Sequence, residues 1–282
     1  MLPHFADLLV QSISKAGAPI CVGLDPVLDR LPAALASLEP PQALLAFSQG
    51  VIDAITGIAP AIKFQSACYE RHGSAGVASL EAAISHARAK GLVVILDAKR
   101  GDIGLSSEHY AASAVSAGAH AITVSGYLGP SGISPFLAAG LGVFVLVRTS
   151  NPDSDVIQAQ PLADGRSIAE LMADTVTHLG KAHLGAQGFS SVGAVVGATK
   201  AHEAQTLRAR LPHAFFLIPG YGAQGGTAAD VQAMLTKSRG GILVTASRSV
   251  IYPTAKPSED WRQAIHAAAV SFSREMAQVV QG

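Results

Sequence analysis

Eight short runs of aliphatic and β-branched residues punctuate the chain, with helical patterns between them. The runs are Ile20–Leu24, Ala61–Gln65, Val93–Asp97, Ala121–Ser125, Val143–Arg148, Val192–Gly197, Phe215–Pro219 and Ile242–Ala246. Most are apolar at successive positions rather than alternate ones, as in parallel strands covered on both faces. Leu44, Phe47, Val51 and Ile55 recur at helical spacing, Ala82 to Lys90 ends at Gly91, and Thr227-Ala-Ala-Asp230 has the form of a capping box. Phe5, Leu8, Leu9 and Ile13 mark one face of an N-terminal helix, and Pro257 and Ser258 open a final helix predicted over Ser258–Val280. A βα repeat either closes into a barrel or spreads into a doubly wound sheet. Eight strands in 282 residues fit the closed form, an α/β (β/α)8 TIM barrel that occupies residues 1–282 as a single domain. The open alternative wants a G-x-G-x-x-G turn after its first strand, and Gly23-Leu24-Asp25-Pro26 cannot make one.

Composition removes other classes. Charged residues make up 14% of the chain, against roughly 25% in average soluble domains. The 20 basic residues balance the 20 acidic ones and form no stripe, which argues against a nucleic-acid partner. A chain that is 49% hydrophobic can offset its ordering entropy, which argues against disorder. The uncharged stretch from His109 to Val147 is broken by Pro130, Ser131, Ser134 and Pro135, so it is not a membrane span of ~20 apolar residues. The N-terminus carries Asp7 and no basic segment, unlike a signal peptide. Cys21 and Cys68 lack metal or redox spacing and read as reduced thiols in a cytoplasmic protein, Cys68 as a buried filler. The ten histidines show no paired ligand spacing, so no metal is expected, and His4, His72, His86 and His266 fall in predicted helices. Ser125-Gly126 lacks the G-x-S-x-G frame of a nucleophile elbow. Ser150 to Gly165 reads as the longest loop.

Barrel enzymes place their chemistry at the C-terminal ends of the strands. Strand 1 ends in Asp25, strand 2 carries Lys63, and strand 3 ends in Asp97-Ala-Lys99-Arg100-Gly-Asp102. Residues two apart on a strand share a face, so Asp97 and Lys99 point together into the mouth if the strand runs that far. With Lys63 they would form an alternating Asp/Lys array whose members keep one another ionised. Spacing alone also allows a structural ion-pair network. Strand 5 ends in Arg148-Thr-Ser150-Asn151, strand 7 in Pro219-Gly220-Tyr221-Gly222-Ala-Gln224-Gly-Gly226, and strand 8 in Thr245-Ala-Ser-Arg248. The glycines, the helix start at Thr227 and the Arg248 guanidinium together suggest a phosphate site. A Gly-rich surface turn is the alternative.

The Asp97-x-Lys99-x-x-Asp102 element, with Lys63 before it and the Gly-rich and Arg248 loops after it, resembles the orotidine 5′-phosphate decarboxylase family from Gly23 to Arg248, in its longer bacterial (mycobacterial-like) branch. The D-x-K-x-x-D element is shared with 3-keto-gulonate-phosphate decarboxylases. Lys63 discriminates, because those relatives usually place an acid there to serve magnesium. The resemblance implies cofactor-free conversion of orotidine 5′-phosphate to uridine 5′-phosphate in pyrimidine biosynthesis. By it, Lys99 protonates C6, Asp97 lies against the substrate carboxylate, and Lys63 holds Asp97 and the ribose. Asp102 and Ser106 would enter the partner's site in a homodimer. Ser150 and Asn151 would read the pyrimidine, Asp25 the ribose, and Gly220, Gly222, Gln224 and Arg248 the phosphate. The strand 7 loop is shorter than in many members, which leaves the part of Tyr221 open. The rival readings are a metal-assisted enzyme for a sugar phosphate and a barrel that binds a phosphate ligand without turnover.

Overall fold

The computed structural model describes residues 4–222, 225–254 and 260–281. Eight parallel strands close a barrel in sequence order, β1 (Ile20–Leu24), β2 (Ala61–Gln65), β3 (Val93–Arg100), β4 (Ala121–Val124), β5 (Gly142–Arg148), β6 (Ser190–Val196), β7 (Ala214–Ile218) and β8 (Ile242–Ala246). β1 pairs with β8 to close the ring, Cys21 opposite Thr245. β1, β2 and β8 keep their predicted bounds. β3 runs on to Arg100, past its expected end at Asp97, and its pairing with β4 shifts register between Leu96 and Arg100.

The helices are α1 (Phe5–Ala16), α2 (Pro40–Ile55), α3 (Ala67–Glu70), α4 (Gly73–Ala89), α5 (Gly104–Ser116), α6 (Ser134–Ala138), α7 (Asp155–Gln158), α8 (Ile168–Gly180), α9 (Ala204–Arg210), α10 (Ala228–Gln232), α11 (Arg248–Ile251) and α12 (Trp261–Gln281). α2 starts on Pro40 and Pro41, which suit the first helical turn because their missing N–H groups would be unpaired there. It buries the expected face of Leu44, Phe47, Val51 and Ile55. α4 stops because Gly91 adopts φ +80° and Leu92 N–H reaches back to Ala87 O, a Schellman turn. Two expectations change here. His4 and His72 sit just before α1 and α4 rather than inside them. The segment after β5 is not a bare loop: it holds a 3-10 turn at Pro152–Ser154 and the short helix α7. The predicted start of the last helix at Pro257 and Ser258 lies outside the described residues, and α12 follows from Trp261.

Two apolar cores follow from strand alternation. Ile62, Phe64, Val94, Leu96, Ile122 and Val124 face the helices. Cys21, Ala61, Val93, Ile95, Ala121, Phe144, Phe215 and Leu243 fill the barrel interior, joined by Phe5, Ala6 and Leu9 of α1. α1 therefore stoppers the N-terminal end, with the Phe5 ring edge-on to Phe144 at 5.8 Å between centroids. Burying a side chain such as Phe5 or Leu9 contributes about 1.5–3 kcal/mol. Burial raises the Cys21 thiol to about 12, as befits an inert filler. The inward positions climb from this apolar floor to a polar rim: Ala61 is followed by Lys63 and Gln65, Val93 and Ile95 by Asp97, Ala121 by Thr123, Leu243 by Thr245. The period of two that packs the interior thus also delivers the polar side chains to the open end.

Candidate active site

The rim encloses a cavity of about 1030 Å³ at the C-terminal ends of the strands. At its base the Lys63 ammonium donates to Asp97 Oδ2 at 2.7 Å and lies 3.6 Å from Asp25 Oδ1. Lys99 Nζ donates to the other Asp97 oxygen at 2.7 Å. The alternation expected from the sequence is thus realised as one connected row, Asp25, Lys63, Asp97, Lys99. Lys63 and Asp97 are buried, whereas the Lys99 side chain is 47% exposed toward the opening. Burial opposes the charge on Lys63, but Asp25 and Asp97 outweigh it and hold its pKa above the ordinary lysine value. Burial likewise opposes the charge on Asp97, and Lys63 and Lys99 overcome it, so its carboxyl lies well below the usual range.

Two further groups complete the Asp97 shell. Thr123 Oγ1 donates to Asp97 Oδ1 at 2.8 Å and accepts the Lys99 backbone N–H at 2.9 Å. Gln65 Nε2 donates to Oδ2 at 3.3 Å. Neither stood out in the sequence. A threonine in a strand reads as a β-former, and its only signal is that it occupies an inward position above Ala121. Lys99 adopts φ +47°, a left-handed conformation that costs a non-glycine residue about 1–3 kcal/mol. The contacts with Thr123 and Asp97 hold it there, at the irregularity in the β3–β4 pairing.

The cavity wall holds Ser150 and Asn151 on the β5 side and Gly220, Tyr221, Ser247 and Arg248 on the opposite side. Asp25 Oδ1 and Thr245 Oγ1 are buried without a hydrogen-bond partner among the described residues, both at this wall. The glycine turn after β7 is braced by hydrogen bonds of its own. The N–H groups of Gly222, Gly225 and Gly226 donate to Gly226, Gly222 and Gly220 carbonyls, so the turn spends these amides on itself. The predicted capping box is present, and its Asp230 carboxylate already occupies the N-terminus of α10, a helix of five residues. Gly220 and Arg248 both line the cavity at this end. Gln224 lies outside the described residues. Asp102 and Ser106 do not reach the cavity of their own chain. Asp102 Oδ1 accepts the Ile103 N–H, and Ser106 is exposed on α5. Among the described residues, no three His, Cys, Asp or Glu side chains gather as a metal-holding group, and no helix is long and apolar enough to cross a membrane.

Ionised side chains gathered at the C-terminal mouth of a closed parallel barrel define a (β/α)8 barrel enzyme site. The family follows from comparison with known proteins. A family model described as "Orotidine 5'-phosphate decarboxylase / HUMPS family" matches residues 18–264, and the chain belongs to that family. Orotidine 5′-phosphate decarboxylase of Rhodopirellula baltica is 37% identical over 298 aligned residues, covering 96% of this chain and 98% of the relative. The Bordetella avium enzyme of the same name is 41% identical over 272, covering 94% and 96%. The solved structure of Leishmania donovani OMP decarboxylase superposes with a TM-score of 0.82 at 31% identity, covering 99% of both chains.

Proposed function

We propose that this protein decarboxylates orotidine 5′-phosphate to uridine 5′-phosphate, with Lys99 as the proton donor. The observation that carries the reading is the Lys63–Asp97–Lys99 row. A substrate carboxylate placed beside Asp97 meets a second negative charge that two lysines keep ionised. The bond from C6 to the carboxylate breaks, CO2 leaves, and the electron pair stays on C6. The Lys99 ammonium stabilises that pair in a low-dielectric site and then transfers its proton to C6. Neutral Lys99 regains a proton from solvent through its exposed side. No cofactor enters the scheme. Family membership and the names of the curated relatives support the substrate.

The remaining roles follow the cavity. Asp25, whose buried Oδ1 has no hydrogen-bond partner among the described residues, takes a ribose hydroxyl. Arg248 holds the phosphate, with Gly220 beside it and Gly222 shaping the turn, and Ser150 and Asn151 read the pyrimidine. Binding energy from the phosphate, remote from C6, goes to orienting the reacting end. Asp102 and Ser106 act across a homodimer interface. The support is that they lie outside their own cavity beside exposed apolar side chains, Ile103 at 59% and Leu105 at 65% exposure, which a partner subunit would cover. A cytoplasmic location fits a chain with no spanning helix among its described residues.

The assay is loss of pyrimidine absorbance when purified protein meets orotidine 5′-phosphate in EDTA. Turnover in EDTA is expected, because the Lys63 ammonium lies between the Asp25 and Asp97 carboxylates. Turnover only on adding magnesium would replace this reading with metal-assisted chemistry. Nucleotide binding without turnover would reduce the protein to a binding barrel.

A further inference from the structure

Strand β5 ends in a charge that the decarboxylation does not use. Arg148 is 1% exposed. Its Nε donates to Glu203 Oε1 and Oε2 at 2.9 and 3.0 Å, and Nη2 donates to Oε1 at 2.8 Å. Nη2 also donates to Asp155, and Nη1 to Ser154 Oγ at 3.0 Å. Lys200, itself buried, donates to the same Asp155 oxygen at 2.6 Å. Two cations and two carboxylates thus form a neutral quartet that ties the β5 loop to the β6 loop. Hydrogen bonds from Lys200 and Arg148 bring the Asp155 carboxyl down to about 2.

The quartet is continuous with the cavity wall. Ser154 Oγ reaches on to Thr149 O at 3.2 Å. Gln158 Oε1 accepts the Thr149 N–H, and Gln158 Nε2 donates to Thr149 Oγ1, each at 2.8 Å. Thr149 Oγ1 then donates to Asn151 Oδ1 at 2.6 Å. Thr199 donates to Ser150 O at 3.3 Å. Beneath Ser150 the chain has Gly197, where a Cβ would stand 2.8 Å from Ser150 Cα, so only glycine lets the loop rest on the end of β6. The two cations are buried but the Asp155 carboxylate is 56% exposed; an ion pair open to solvent gains little net stability, and the best-attested use of such a cluster is to fix one geometry. Here the geometry fixed is that of Ser150 and Asn151.

We propose that the Arg148 quartet is a positioning device for the pyrimidine-reading loop. Ser154, Asp155 and Glu203, none of which lines the cavity, set affinity for the base through Ser150 and Asn151. The inference rests on the nucleotide reading above. Its signature is selectivity. Disturbing the quartet weakens ligands that carry a base and spares those that carry only ribose and phosphate.

The test compares inhibition by uridine 5′-phosphate and by ribose 5-phosphate in wild type, Asp155→Ala, Asp155→Asn and Ser154→Ala. Asp155→Ala is expected to weaken uridine 5′-phosphate about tenfold, about 1.4 kcal/mol, with ribose 5-phosphate unchanged and KM rising more than kcat falls. Asp155→Asn, which keeps an acceptor, should recover part of the loss. Ser154→Ala removes only the neutral spoke and should shift the same ratio by a smaller factor, so the inference stays testable if the charge variants fold poorly. Equal weakening of both ligands, or an unchanged ratio in every variant, overturns it. Wild-type protein that binds ribose 5-phosphate but not uridine 5′-phosphate overturns the nucleotide reading, and the inference with it.

Discussion

Replacing Thr123 with valine removes one hydroxyl from the centre of the charged row and little else. Thr123 is 1% exposed, so the change is felt in a closed environment. Two hydrogen bonds disappear, the 2.8 Å donation to Asp97 and the 2.9 Å acceptance from the Lys99 N–H. A hydrogen bond to a charged group is worth about 1.5–3 kcal/mol, and a stranded donor costs about 1–3 kcal/mol. Asp97 keeps its two lysines and Gln65, and the two ranges together give a net loss of about 2.5–6 kcal/mol. With unfolding entropy near 2.1 cal/mol/K per residue, a chain of 282 residues should melt about 4–10 °C lower. Catalysis should suffer as well, because the Thr123 contact holds Lys99 in its left-handed conformation. A loss of about ten- to a hundredfold in kcat/KM corresponds to about 1.4–2.7 kcal/mol at the transition state. Thermal melts and steady-state decarboxylation measure the two effects, and Thr123→Ser, which keeps the hydroxyl, should retain most of both. A valine variant that melts within 1 °C of wild type at unchanged kcat/KM would refute the reasoning.

Other outcomes follow from the same geometry. Lys99→Ala and Asp102→Ala should each be nearly inactive alone, yet refolding them together should restore activity by making dimers with one intact site; verified mixed dimers without activity would place Asp102 in its own chain's chemistry. Burial and nearby Arg88 hold His120 down to about 4, and its Nδ1 accepts the Val94 N–H at 2.9 Å. Between pH 6.5 and 4 the unfolded chain therefore binds a proton that the folded chain refuses, so this contribution is complete above pH 6.5 and is lost as pH falls toward 4. Urea midpoints should fall from pH 7 to pH 5, and less steeply in His120→Asn; parallel curves would remove His120 as the cause.

The barrel was legible because apolar runs at eight sites admit few other arrangements, and β1, β2 and β8 are short and uniformly apolar enough to have clear ends. Legibility faded where polar residues continue a strand. Ala98 to Arg100 stay in β3 although the run turns charged at Asp97. Ser190 and Ser191 open β6 because the Ser190 hydroxyl finds Gly180 O at 3.1 Å. In the site, Lys63, Asp97 and Lys99 stood out as charges in an apolar chain, and the structure joins them. Thr123 was hidden by its own strand propensity. The Arg148 quartet was hidden by distance, since Glu203 lies on the next loop after an intervening helix. The internal hydrogen bonds of the glycine turn, from the Gly222, Gly225 and Gly226 N–H groups, were not legible either, because residue type shows that such amides can approach an anion but not which carbonyls they meet.

The central claim is that Lys99 both stabilises the carbanion and protonates it. Its most direct test is single-turnover decarboxylation of orotidine 5′-phosphate by Lys99→Ala protein shown to be folded and to bind uridine 5′-phosphate. The account predicts a loss well beyond the ~10²–10⁴-fold typical of removing an acid–base group alone, because charge stabilisation goes with the proton. A loss of less than about tenfold, far below even that acid–base range, would contradict it.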